Sequence, residues 1–124
     1  MLGMNDINLS GIDGSIENFK KLCKNIKKNA PYVKFYVQSV TPRVAMTSSS
    51  TSKSLTNAKI AEYNKKLSKC CDKQGWYYLD VASVMKDSKG NLKKEYCGDP
   101  DTLGMHFTNA GCEAWVDYLY THTA

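Results

Sequence analysis

An α/β fold with a parallel sheet is predicted for this 124-residue chain, and three observations carry the prediction. Two lysine-rich segments place their apolar residues at helical spacing. Each is followed by a short run rich in β-branched and aromatic residues, and a third helical segment closes the chain. Helix, strand, helix, strand, helix is the order a parallel sheet requires, because parallel strands are joined by crossover helices.

In the first helix, Ile16, Phe19, Leu22, Cys23 and Ile26 recur on one face, with Lys20, Lys21, Lys24, Lys27 and Lys28 mostly between them. Ser15 is the expected N-cap and Pro31 marks the end. Residues 33–40 (Val-Lys-Phe-Tyr-Val-Gln-Ser-Val) then read as a strand. The Ser/Thr-rich run at 47–54 is an exposed loop by composition. Thr56 can cap a second helix carrying Ile60, Tyr63, Leu67 and Cys70 or Cys71, with Gly75 placed for a left-handed C-cap. Residues 76–79 form a second short strand, and 87–92 (Asp-Ser-Lys-Gly-Asn-Leu) have turn chemistry. Thr108 precedes a last helix in which Trp115, Tyr118, Leu119 and His122 share a side. Two strands plus a stub at Met1-Leu2 fall short of the roughly five a doubly wound sheet uses. The expectation is therefore one domain over residues 1–124, truncated at its N-terminus.

Composition narrows the function classes. The net charge of +5 comes from lysines, with Arg43 the only arginine. Scattered lysines beside Asp and Glu argue against nucleic-acid recognition, which favours arginine and a concentrated basic patch. No run approaches the roughly 18 apolar residues of a membrane span, and no signal-peptide pattern follows Met1; the compartment stays open. Five cysteines without Cys-x-x-Cys spacing support neither a zinc site nor a dense disulfide framework, although one bridge, for instance from Cys97, stays open. Trp76, Tyr77, Tyr78, Phe107 and Trp115 are expected in the core rather than as a carbohydrate platform.

Two motifs carry chemistry. Gly3-Met4-Asn5-Asp6 follows the apolar stub, and Met105-His106-Phe107-Thr108-Asn109-Ala110-Gly111 opens the last helix. Each alone is ordinary, the first as turn chemistry and the second as a structural histidine. A parallel sheet, however, puts both after carboxyl strand ends, on the one edge where open α/β sheets bind ligands. An amide donor and an imidazole converging there are what acyl transfer needs: a proton carrier and N–H donors for a tetrahedral oxyanion.

These two motifs, in this order, resemble the third and fifth blocks of the SGNH (GDSL-type) serine esterases, and the stretch between them, with Tyr36 to Pro42 as strand and turn and Tyr63-Asn64 on the second helix, is similar too. The resemblance implies a three-layer α/β/α, flavodoxin-like fold. It implies an oxyanion hole formed by Asn5 and Gly3, with Gly3 allowing close backbone approach, and a general base at His106. Asp6 is expected to bond local backbone. The reaction would be hydrolysis of a carboxylic ester through an acyl-serine, without metal or organic cofactor. The substrate would be a small ester or an acylated carbohydrate or lipid.

Two departures qualify this. Leu103 stands where the family places an Asp, three residues before the histidine. Asp99 and Asp101 lie nearby, and Asp101 is the choice for the third catalytic residue, with a backbone carbonyl as the alternative orienting group. The family's Gly-Asp-Ser nucleophile block is absent from these residues, and Ser10, Ser39 and Ser48 to Ser50 lack its strand-to-turn setting. A pairing of His106 with Cys97 or Cys112 is a weaker route to a nucleophile. Arg43, after the middle strand, is a candidate to line the crevice and meet an acidic substrate group. A sheet lacking its first strands is expected to form a homodimer through its open edge. The rival reading is a non-catalytic binding module with the same fold.

Overall fold

The computed structural model describes residues 3–47, 49–51 and 53–123; the expected stub at Met1-Leu2 lies outside them. Along the chain run α1 (Met4–Asn29), β1 (Tyr36–Gln38), α2 (Asn57–Gln74), β2 (Tyr77–Leu79), a single turn α3 (Ala82–Met85), a 3-10 turn (Lys94–Tyr96) and α4 (Asn109–His122). β1 and β2 pair in parallel with Tyr36 opposite Tyr77 and Gln38 opposite Leu79. The ladder reaches one residue further each way through Tyr77 N–H to the Phe35 carbonyl and Ser39 N–H to the Leu79 carbonyl. The strand expected over 33–40 is thus regular only at its centre.

Strand alternation builds the layers. Phe35, Val37 and Tyr78 face α1 and α2, sharing a cluster with Ile7, Ile16, Ile60, Tyr63 and Leu67. Tyr36 and Leu79 face the other way, toward Val81, Met85, Leu92, Phe107, Trp115 and Leu119. Gln38 follows the same alternation and accepts from Trp115 Nε1 at 2.8 Å. Helices on both faces of a parallel sheet give the α/β architecture expected. Trp76, Tyr78, Phe107 and Trp115 pack as core aromatics, while Tyr77 is half-exposed and stacks on Tyr36.

The caps expected for α2 and α4 form. Thr56 Oγ1 accepts from Lys59 N–H, Gly75 closes α2 at φ 68°, and Thr108 Oγ1 accepts from Gly111 N–H. The start of α1 differs from expectation. It begins at Met4 and is broken at Gly11 (φ 67°, ψ 177°), and Ser15 is no cap: its buried hydroxyl donates back to the Gly11 carbonyl at 2.6 Å. Glycine can take that backbone turn without a Cβ clash, so the break falls there. The apolar stripe is also narrower than its spacing implies. Ile16, Phe19 and Cys23 turn inward, but Leu22 and Ile26 remain 42% and 39% exposed.

All five cysteines are free thiols, Cys112 alone exposed. Among the described residues no helix is long and apolar enough to cross a membrane, and no cluster of three potential metal ligands occurs.

Candidate active site

The segment leaving β1 is the frame on which the site is built. Two asparagines two helical turns apart on α2 hold it through paired amide bonds. Asn64 accepts from Val40 N–H (2.8 Å) and donates to the Val40 carbonyl (2.7 Å). Asn57 does the same for Arg43, at 2.7 and 2.8 Å. Each side chain stands in for a neighbouring strand, satisfying backbone groups that would otherwise be orphaned where the ladder ends.

Gly3 sits against this segment at φ 127°. A Cβ there would lie 2.9 Å from Val40 Cγ2 and 3.0 Å from the Tyr63 hydroxyl, so the close approach demands glycine. Asn5 follows in the first turn of α1, exposed, its carboxamide without a hydrogen bond among the described residues. Asp6 does not bond local backbone as expected. It lies in the same helical turn and lines a small cavity with Ser15, Phe19 and Tyr63. Burial, aided by the charge of Asp6, pushes the Tyr63 phenol up to about 12.

His106 arrives on a looped-back segment. Cys97 and Phe107 pair as an antiparallel bridge, and Gly98 N–H bonds the His106 carbonyl at 2.8 Å, closing the loop between them. Inside it the Asp99 carbonyl accepts from Thr102 and Gly104 N–H, with Gly104 left-handed at φ 66°. This fold-back brings Asp99, and not Asp101, to the imidazole. Asp99 Oδ2 lies 2.7 Å from His106 Nδ1, while Oδ1 accepts from the N–H groups of Met105 (2.9 Å) and His106 (3.0 Å) and from the Cys97 thiol (3.3 Å). The choice of Asp101 is therefore corrected: its side chain is exposed and makes no hydrogen bond among the described residues. The fold-back spans seven residues, so spacing along the chain favoured neither acid.

Burial alone would raise the Asp99 carboxyl, but the hydrogen bonds from His106, Cys97 and Met105 outweigh it and hold the group at about 2. Asp99 is 20% exposed and the imidazole 66%. Because Nδ1 faces an ionised carboxylate, the neutral ring carries its proton there, and Nε2 is left as an open base without a partner among the described residues.

Arg43 is not a substrate contact. It is 1% exposed, with Nε donating to the Leu103 carbonyl (2.8 Å), Nη1 to that of Leu55 (3.0 Å) and Nη2 to that of Thr51 (2.7 Å). A buried guanidinium committed to three backbone carbonyls is not presented to a ligand.

The structure thus joins His106 to Asp99 and seats both the Gly3 turn and the His106 loop on residues 40–44. Met4 and Met105, the chain neighbours of Asn5 and His106, pack on one cluster with Val40, and among the described residues Asn5 and His106 make no direct hydrogen bond. A crevice of about 280 Å³ opens beside the same strand ends, lined by Val40, Pro42, Asn64 and Asp80 on the α2 side. Among the described residues no serine bonds the imidazole: Ser39 is buried and accepts from Ala82 N–H, Ser50 is buried, Ser10 is exposed on α1, and Ser48 lies outside the described residues. Neither Cys97 nor Cys112 bonds the imidazole.

The fold is an α/β sheet with a parallel strand pair, and an Asp-bonded histidine lies on the loop seated at the end of β1. The chain belongs to the GDSL-like lipase/acylhydrolase family, whose model matches residues 1–114. Solved structures share the fold. A candidate platelet activating factor from Streptococcus pneumonia superposes with TM-score 0.87 at 22% identity, over 98% of this chain and 56% of that one. The esterase domain of the ORF1 protein from the zebrafish ZfL2-1 retrotransposon gives 0.67 at 17%, over 98% and 64%. A candidate acylhydrolase from Bacteroides fragilis gives 0.68 at 21%, over 89% and 50%. The chain therefore spans between half and two thirds of the length of these neighbours. No curated protein matches it.

Proposed function

We propose that this chain supplies the general base and an oxyanion donor of a carboxylic-ester hydrolase, with the attacking serine carried by a Gly-Asp-Ser segment not found in these 124 residues. The observation that carries the reading is the 2.7 Å contact of His106 Nδ1 with Asp99, which leaves Nε2 open at the carboxyl edge of the sheet. Family membership supports it.

In this reading Nε2 takes the serine proton as the oxygen attacks the ester carbonyl, and the imidazolium is stabilised by Asp99. The Asn5 amide, with the Gly3 turn behind it, donates to the oxyanion. Collapse expels the alcohol, which leaves with the proton held on Nε2. Water then repeats the sequence, its proton passing to His106 and its oxygen to the acyl carbon, releasing acid and free serine. Lipid, acetylated carbohydrate and small-ester substrates all fit this chemistry.

The test is to place a Gly-Asp-Ser strand segment of this family ahead of the chain and assay p-nitrophenyl acetate hydrolysis and fluorophosphonate labelling. The chain alone should show neither. The fusion should show both, lose both in His106→Ala, and lose about 10²–10³-fold in turnover in Asn5→Ala. An active fusion indifferent to His106→Ala would overturn the assignment. A folded but inert fusion would favour a non-catalytic binding module.

A further inference from the structure

The bonds that close the Asp99–His106 loop on itself, the Cys97–Phe107 bridge and those converging on Asp99, do not fix where the loop sits on the sheet. The loop is exposed at Gly98, Asp101, Thr102 and His106 and buried at Gly104, and the imidazole is two-thirds open to water. What locates the loop is a seat at its back. The Leu103 carbonyl accepts from Arg43 Nε, and the next carbonyl, Gly104, accepts from Val44 N–H at 2.9 Å. Thr102, one residue earlier, accepts from Thr51 N–H at 3.1 Å, and Thr51 in turn accepts from Arg43 Nη2. The third guanidinium nitrogen holds Leu55, just ahead of the Thr56 cap of α2.

One buried cation therefore ties together three stretches: the histidine loop, Thr51 and Leu55 ahead of α2, and the end of β1. None of the three carries a regular ladder of its own where they meet. The backbone of Arg43 is itself immobilised, its N–H and carbonyl both taken by Asn57 and its carbonyl also by Leu92 N–H. The side chain thus projects from a fixed point. A planar guanidinium with donors in a rigid fork can reach three carbonyls at once, and a lysine ammonium at the end of a flexible stem cannot reproduce that pattern.

We infer that Arg43 is a positioning residue: by docking the Leu103-Gly104 backbone to the end of β1 it sets the register of the fold-back that brings Asp99 onto His106. It touches no substrate and no reacting atom. Gly104 completes the seat, since a Cβ there would lie 2.6 Å from Val44 Cγ2. The inference rests on reading Asp99 and His106 as the working pair, and it concerns only how that pair is held.

The experiment reads the pair directly, without turnover. Long-range ¹H–¹⁵N spectra of the histidine rings in the whole chain report which nitrogen of His106 is protonated, and His122 serves as an internal reference. In the unaltered chain above the titration of the ring, His106 should show one dominant form with the proton on Nδ1. Asp99→Ala supplies the unpaired reference spectrum. Arg43→Lys, confirmed as folded by its circular dichroism and by unmoved His122 signals, should shift His106 most of the way to that reference. Gly104→Ala attacks the same seat without altering Arg43 and should shift His106 in the same direction. A folded Arg43→Lys protein with an unchanged His106 spectrum would overturn the inference. If Arg43→Lys fails to fold, Gly104→Ala decides, and an unchanged His106 spectrum there would overturn it equally. A changed spectrum combined with an inert Gly-Asp-Ser fusion would fault the hydrolase reading and leave this one standing.

Discussion

Replacing Asp99 with Asn separates the two acids near the histidine, and the structure sets the size of the effect. Asn preserves the shape and can keep one oxygen on the Met105 and His106 N–H groups, but its NH₂ then faces Nδ1 and drives the ring proton to Nε2, the wrong tautomer for a base. A carboxyl held at about 2 against an ordinary 3.8 corresponds to roughly 2 kcal/mol of stability at neutral pH. The imidazole is largely solvated, so screening trims this to ~1–2 kcal/mol. Because the folded value lies below the unfolded one, the stabilisation is fully present above about pH 4 and is lost as pH falls through about 2. Urea-unfolding free energies of the parent, Asp99→Asn and Asp101→Asn should therefore show the Asp99 variant weaker by ~1–2 kcal/mol at pH 6, the gap closing toward pH 2, and the Asp101 variant unchanged throughout. Equal costs for the two variants, or a gap that does not depend on pH, would refute the reasoning.

Three further outcomes follow from the same contacts. Asn5→Ala removes an exposed side chain and should change unfolding free energy by less than about 0.5 kcal/mol, whereas His106→Ala removes the main partner of Asp99 and should cost up to the ~1–2 kcal/mol of the Asp99 variant, both measured by the same urea titration. Asn64→Ala leaves the Val40 N–H and carbonyl unpaired and should cost about 2 kcal/mol, with faster hydrogen exchange at Val40. Gly3→Ala forces a Cβ onto Val40 and Tyr63 at positive φ and should lower the thermal midpoint by several degrees, an expected loss of roughly 1–3 kcal/mol.

How far the sequence foretold the molecule depended on whether the signal was local. Thr56, Gly75 and Thr108 act through contacts within one helical turn, and their roles could be read from the residues beside them. The two strands were legible from composition, though their ladders are shorter than the β-branched runs because the chain leaves the sheet at Ser39, where Asn64 takes over the pairing at Val40. Ser15 was misread because it looks like a cap; the break lies four residues earlier, at a glycine whose unusual backbone leaves no mark in periodicity. At the site, His106 stood out by its motif, whereas Asp99 and Asp101 are indistinguishable until the loop is closed by the Cys97–Phe107 bridge. Arg43 was misassigned for a related reason. A lone arginine after a strand has the chemistry of a ligand contact, and only three carbonyls from distant segments reveal its actual commitment.

Those misreadings share a physical cause that bears on how this family's carboxyl edge can vary. Of the residues that would do chemistry, Asn5 is exposed and makes no hydrogen bond among the described residues, and the His106 side chain is exposed and bonded to Asp99 within its own loop, so the fold depends weakly on both side chains. The residues that place them, Asn57, Asn64, Arg43, Gly3 and Gly104, all converge on residues 40–44 and are held there by part-buried polar bonds or by contacts a Cβ would forbid. Loss of a chemical residue should then leave a folded protein with an intact edge, while loss of a seat residue should cost stability and geometry together. A chain in which the chemistry had been abandoned would consequently keep its seat. What supports the proposed function is therefore the open Nε2 opposite a carboxylate-bound Nδ1, since the seat beneath it would be the same in a hydrolase and in a module that only binds.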